Sequence, residues 1–130
     1  MIKLTVLAAV IATALAGTGI ASAAPDDDEY CTYTLSAPER YRNVNADAVI
    51  ATLQPEHCNG QANPRRSQVC LSSPDFPGDC GKDSGWGVAK VVLPWVSGRT
   101  YTATGNGCAD NGIPFHVATC KPYGPISATL

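Results

Sequence analysis

The chain has 130 residues, nine Lys and Arg against eleven Asp and Glu, and six cysteines. That length bounds it to one domain of ordinary size, and a slightly acidic balance gives no electrostatic footprint for nucleic acid or an anionic membrane surface. Beyond the N-terminal leader Val, Ile, Leu and Phe are sparse, so a small core must be supplemented by covalent staples.

Lys3 is followed by the apolar run Leu4 to Ile20 and then by Ala21-Ser22-Ala23. A basic residue, an apolar run and a small-x-small site together predict a secretory signal peptide over residues 1–23, removed after Ala23 or Ala24. Residues 24–29, with Asp26-Asp27-Asp28-Glu29, are expected to form a flexible acidic N-terminus. Residues 30–130 are expected to form a single disulfide-bonded β domain, since six cysteines in an exported chain read as a bridge framework. Each bridge contributes roughly 2 to 4 kcal/mol in the loop-entropy model, so three rival the net stability of a small domain.

Tyr30 to Ala37 alternates apolar and polar residues and predicts a half-buried strand stopped by Pro38. Glu39 to Asn45 reads as a polar connection. Ala46 to Leu53 predicts a second strand, because its β-branched residues and short length favour strand over two helical turns, and Pro55 is expected to end it. Asn59-Gly60 and Asn63-Pro64 mark turns, Ser67 to Ser72 a third strand around Cys70, and Pro74 to Gly87 an irregular Gly- and Pro-rich loop.

The densest apolar sequence beyond the leader spans Trp86 to Cys108. It reads as a core hairpin: Val88 to Leu93, apolar on both faces apart from Lys90, as a central strand, then Thr100 to Thr104, with Gly105-Asn106-Gly107 turning the chain. Phe115 to Thr119 and Ile126 to Leu130 supply two last strands. Seven short strands between turn signals near ten residues apart predict an all-β fold, a small antiparallel β-sandwich of immunoglobulin-like type stapled by disulfides.

Cysteine spacing alone leaves the pairing open. Hairpin geometry favours Cys31–Cys58 and Cys70–Cys80, the latter symmetric about Asp75. That leaves Cys108–Cys120, which is harder and needs a bulged loop, since a regular hairpin centred near Asp110 would put Cys120 several residues along the strand. The rival set is Cys58–Cys70, Cys80–Cys108 and Cys31–Cys120. No C-x2-C pair exists to hold zinc, and no metal or cofactor is expected.

Two fragments carry hints of chemistry. His57-Cys58 and Asp83-Ser84-Gly85 resemble pieces of the chymotrypsin-like serine proteases, which would imply a small secreted hydrolase with His57 and Ser84 as base and nucleophile; Lys82 and Trp86 stand where that motif has glycine. Cys80-Gly81-Lys82 and the stretch to Trp95, Gly98, Arg99 and Cys108 resemble the Streptomyces subtilisin inhibitor family, an exported, disulfide-bonded family in which a Cys stands two positions before the reactive residue. That resemblance implies an extracellular serine-protease inhibitor with a cysteine-anchored loop at Lys82. It covers Cys58 to Cys108 and departs from the family in having only nine residues between Cys70 and Cys80, where a helix is expected. His116 reads as a strand residue.

The reading that fits most of the chain is a non-enzymatic, monomeric binding protein, secreted and cell-surface associated or free. Its partner is an extracellular protein or cell-surface ligand, with no nucleic acid and no membrane span after leader removal. Binding is expected from loops on a stapled scaffold, with Lys82, Asp83, Trp86, Asp110 and Asn111 as candidates. Trp86 and Trp95 read as core lining at the ends of a strand, with an aromatic patch formed together with Tyr123 as the alternative expectation.

Overall fold

A computed structural model describes residues 30–112 and 118–130. Eight strands are present there: β1 (Cys31–Leu35), β2 (Glu39–Asn43), β3 (Ala46–Cys58), β4 (Asn63–Ser73), β5 (Phe76–Ser84), β6 (Ala89–Pro94), β7 (Thr100–Asp110) and β8 (Thr119–Thr129). They form two antiparallel sheets. In the first, β3 pairs with β6 on one side and with β1 and β2, end to end, on the other. The second has the order β5-β4-β7-β8.

Alternation along the strands builds the core. Val49, Ala51 and Leu53 of β3, Ala89, Val91 and Leu93 of β6, Val69 and Leu71 of β4, and Tyr101 and Ala103 of β7 are buried between the sheets. Their neighbours one position along point outward. Tyr33 enters the same core from β1, and its hydroxyl donates to the Cys108 carbonyl at 2.5 Å. Burial, then the neighbouring Tyr123 ring at 5.8 Å, pushes the Tyr33 phenol up to about 12.

Three cross-strand disulfides staple the sheets from within: Cys31–Cys58 joins β1 to β3, Cys70–Cys80 joins β4 to β5, and Cys108–Cys120 joins β7 to β8. Each links residues that stand directly opposite one another. None crosses from one sheet to the other. The β7–β8 register sets Cys108 directly opposite Cys120, with no register shift beside the bridge; the loop between them lies largely outside the described residues.

Several expectations from the sequence are corrected. Glu39 to Asn43 is a strand, β2, because it folds back on Ala46 to Ile50 across a turn at 44–45 and anchors Arg40 to Asp47 at 2.9 Å. Pro55 does not end β3, since the ladder shifts register between Thr32 and Tyr33 and continues to Cys58. The segment read as a loop from Pro74 is mostly β5, paired with β4 from Phe76 to Ser84 with one register shift between Leu71 and Ser73.

The run from Trp86 to Cys108 is not a hairpin. Its first half is β6 of the first sheet and its second half is β7 of the second. β6 is not central either: it pairs with β3 alone, and Val92 on its outer side is 49% exposed. The crossing between sheets is fixed by Tyr101, whose buried hydroxyl donates to the Pro94 carbonyl at 2.7 Å and accepts the Val96 N–H at 2.9 Å. Gly98, at φ 78°, turns the chain there.

Gly105-Asn106-Gly107 does not turn the chain, and β7 runs through it to Asp110. A Cβ on Gly107 would fall on the Tyr33 ring, and one on Gly105 would press on the Leu53 side chain at 3.0 Å. These glycines make room for large side chains arriving from the opposite sheet. Gly81 does the same for backbone, since a Cβ there would collide with the Lys90 carbonyl, and so the edges β5 and β6 close together.

The predicted strand Ile126 to Leu130 is the end of a longer β8. Phe115, His116 and Val117 lie outside the described residues.

Candidate binding end of the domain

The connections that follow β3 and β5 and the first two residues after β7, Asn111 and Gly112, converge at one end of the domain. Asn59 donates its N–H to the Tyr30 carbonyl at 3.0 Å, and its side-chain Oδ1 accepts the Tyr30 N–H at 2.6 Å, so the start of β1 is tied to the turn after β3. Gly60, at φ 56°, makes that turn. Gly85 donates to the Arg65 carbonyl at 3.1 Å, which brings the turn after β5 against the first residues of β4. Gly112, at φ 77°, lies so close to the Gln61 carbonyl that a Cβ there would meet it at 2.6 Å. That contact joins the turn after β7 to the turn after β3.

An ion pair locks this junction. Asp110 at the end of β7 is buried, accepts the Gly112 N–H at 2.8 Å, and pairs with the Arg65 guanidinium from β4. The Gly112 N–H, above all, lowers the Asp110 carboxyl below its ordinary value; desolvation opposes it and Arg65 adds to it. Asp110 is therefore a buried brace for the two turns rather than an exposed loop residue.

The five candidate residues sit at this same end, though not as a loop. Lys82 and Asp83 belong to β5, opposite Gln68 and Ser67. Asp83 accepts the N–H of Ser84 at 2.8 Å and packs its carboxylate against Gly87. Trp86 stands in the turn that follows and is 59% exposed. Asn111 comes directly after Asp110, half-buried.

Lys82 lies inside a paired strand, so the protruding cysteine-anchored loop expected of a reactive inhibitory segment is not found there. Cys80 pairs directly with Cys70 across the ladder. The two fragments that resemble serine-protease motifs are also separated: His57 is exposed on β3 of the first sheet, opposite Thr32, and Ser84 closes β5 of the second. No hydrogen bond joins them among the described residues.

The aromatic patch does not form. Trp95 follows β6 at the other end of the domain, half-buried, with the Arg40 guanidinium 3.8 Å above its ring. Tyr123 packs on Tyr33, and its hydroxyl oxygen accepts the Tyr33 N–H at 3.2 Å. Trp86 is left as an exposed aromatic at this end of the domain together with Tyr30, whose ring carries the Lys121 ammonium at 4.5 Å.

Sequence reasoning missed Arg65 and Arg66, which occupy the first turn of ladder at this end. Their signal was present, two adjacent cations just before a strand core, but a turn assignment around Asn63-Pro64 hid it.

Among the described residues, no group of three or more His, Cys, Asp and Glu is placed to hold a metal ion, and no helix is long and apolar enough to cross a membrane. Comparison with protein-family models, curated proteins and solved structures gives no match.

Proposed function

We propose that the chain is an exported, non-enzymatic binding protein whose contact region is the end of the domain that carries Trp86. The observation that carries this reading is the gathering of three turns, after β3, β5 and β7, on a frame clamped close by through Cys31–Cys58 and Cys108–Cys120. Turns held on a rigid frame can present varied side chains without loss of the fold. The three disulfides fit an oxidising compartment, and the leader-like residues 1–23 support export to the cell exterior or surface.

The finer fold assignment we favour is an immunoglobulin-like sandwich. Taking β1, β3, β4, β5, β6, β7 and β8 as strands A, B, C, C′, E, F and G gives one sheet with A, B and E adjacent and another ordered C′-C-F-G. That order is the Greek-key arrangement of such domains. Tyr101, near the start of the strand after the crossing and bonded back to Pro94, stands where these folds place a tyrosine corner. One departure is chemical: antibody domains bridge their two sheets with a disulfide, and here every bridge stays within a sheet. By this analogy the three clustered turns are the counterparts of the loops that variable domains use for recognition, a fold-level argument only.

The test is retention of a partner from culture medium and cell-surface extract by the immobilised domain. A partner held by the wild-type domain and lost from Trp86→Ala supports the reading. Equal retention by both, or labelling by hydrolase-directed probes that depends on Ser84 or His57, would overturn it.

A further inference from the structure

The two outer faces of the sandwich differ in chemistry. On the first sheet, Tyr41, Ala48, Ile50, Val92 and Pro94 share the outward side, since Ala48 opposes both Tyr41 and Pro94 and Ile50 opposes Val92. On the second sheet the outward side is polar. Directly opposed residues share a face, so Ser84 and Arg66 form one row with the Cys108–Cys120 bridge, and Lys82, Gln68 and Asn106 form the next.

No carboxylate lies in these rows. Asp79 and Asp83 oppose Leu71 and Ser67, on the inward-pointing side of β5, and each accepts the N–H of the residue after it. Arg66 and Lys82 are diagonal neighbours across β4 and β5, and neither makes an ion pair among the described residues. In an acidic chain, two unneutralised cations on a face without acids form a local anion site.

The two halves of that face also differ. Toward the far end its hydroxyls satisfy one another, Thr102 with Ser127 and Thr100 with Thr129, both at 2.8 Å. Toward the Trp86 end, the side chains of Arg66, Lys82 and Asn106 have no hydrogen-bond partner among the described residues. Strand neighbours there are spaced by about 4.8 Å, comparable with the length of a sugar ring.

From these observations we propose that the Trp86 end of the outer face of the second sheet binds an anionic polysaccharide. The proposal rests on the reading that this end of the domain is the binding end, and it names the ligand class. Arg66 takes a carboxylate of the polymer through its planar fork while Lys82 supplies a second point charge. Gln68 and Asn106 each offer a donor and an acceptor to vicinal hydroxyls. Trp86, exposed in the turn after β5, stacks against the apolar face of a sugar ring.

The experiment uses the leader-free chain and polygalacturonate, with dextran as the neutral polymer and polyglutamate as a polyanion without sugar rings. Binding is followed by calorimetry at low ionic strength. Saturable binding to polygalacturonate alone is expected, weakened about tenfold or more in Arg66→Ala and in Lys82→Ala, weakened in Trp86→Ala, and unchanged in Lys90→Ala on the first sheet. Unchanged thermal unfolding of these surface variants shows that the loss is local.

Absence of binding by the wild-type chain, wild-type affinity in Arg66→Ala and Lys82→Ala, or equal affinity for polyglutamate would overturn the proposal. Failure here is distinguishable from failure of the broader reading. A partner retained by the wild-type domain and lost in Trp86→Ala, without polygalacturonate binding, removes the glycan and leaves the binding end.

Discussion

Tyr101→Phe tests the crossing that joins the two sheets. The substitution removes one oxygen from a fully buried ring and leaves the ring itself in place, so packing changes little. It deletes two hydrogen bonds, one to the Pro94 carbonyl and one from the Val96 N–H. Each such bond contributes about 1 kcal/mol net, so the expected loss is about 2 kcal/mol. For a domain of this size that lowers Tm by about 8 to 16 °C. Urea unfolding of the oxidised chain is the assay, with an unchanged m value as evidence that the native and unfolded states are otherwise comparable. A loss below about 0.5 kcal/mol would refute the idea that the hydroxyl fixes the crossing. Tyr101→Ala, which also empties the core site, should cost more, about 3 to 5 kcal/mol.

Gly107→Ala is expected to destabilise by about 1 to 3 kcal/mol through overpacking against Tyr33. In a double-mutant cycle with Tyr33→Ala the two losses should fall short of additivity, and strict additivity would show that the ring is not what Gly107 accommodates. The Tyr33 phenol, pushed up to about 12 from 10.0, stays protonated in the folded chain while the unfolded chain ionises. Its contribution is therefore complete below pH 10 and is lost as pH rises from there through 12. Alkaline unfolding titrations should show that loss, and Tyr33→Phe should reduce the pH slope in this window. Removing the Cys70–Cys80 bridge with paired serines, across a sequence separation of 10, should cost about 3 kcal/mol. Removing Cys31–Cys58, with a separation of 27, should cost roughly 0.8 kcal/mol more. Equal or reversed losses in calorimetry would argue against a loop-entropy origin.

What the residues disclose depends on whether a strand has one buried face. β3, β4 and β6 alternate strongly, with Val49, Ala51 and Leu53 or Ala89, Val91 and Leu93 buried in turn, and their positions follow from the sequence. β2 and β5 are edge strands whose side chains are largely exposed, so Glu-Arg-Tyr-Arg-Asn and Phe-Pro-Gly-Asp-Cys carry no period to detect. Glycine misled most. In isolation Gly81, Gly105 and Gly107 read as turn residues, but each is required by a neighbour in the other sheet: Lys90, Leu53 and Tyr33. The hairpin assigned to Trp86 through Cys108 failed for a related reason, because apolar density does not say in which sheet a strand lies. Tyr101 carried that information, through bonds that only the folded chain displays. At the candidate site, Trp86 and Lys82 were legible as exposed residues, while the brace role of Asp110 needed Arg65 and Gly112 beside it.

The three bridges follow one another along the chain without overlap, the first cysteine joined to the second, the third to the fourth and the fifth to the sixth. The consequence lies in the order of events during synthesis. For a chain that emerges N-terminus first into an oxidising compartment, the first unpaired thiol always meets its native partner as the next thiol to appear. Cys31 waits for Cys58, and once that ring has closed Cys70 waits for Cys80. No ring has to be threaded through another, and no early bond has to be undone to reach the final set. Oxidation can keep pace with emergence, and shuffling by an isomerase would be needed only when closure lags behind the arrival of a third cysteine.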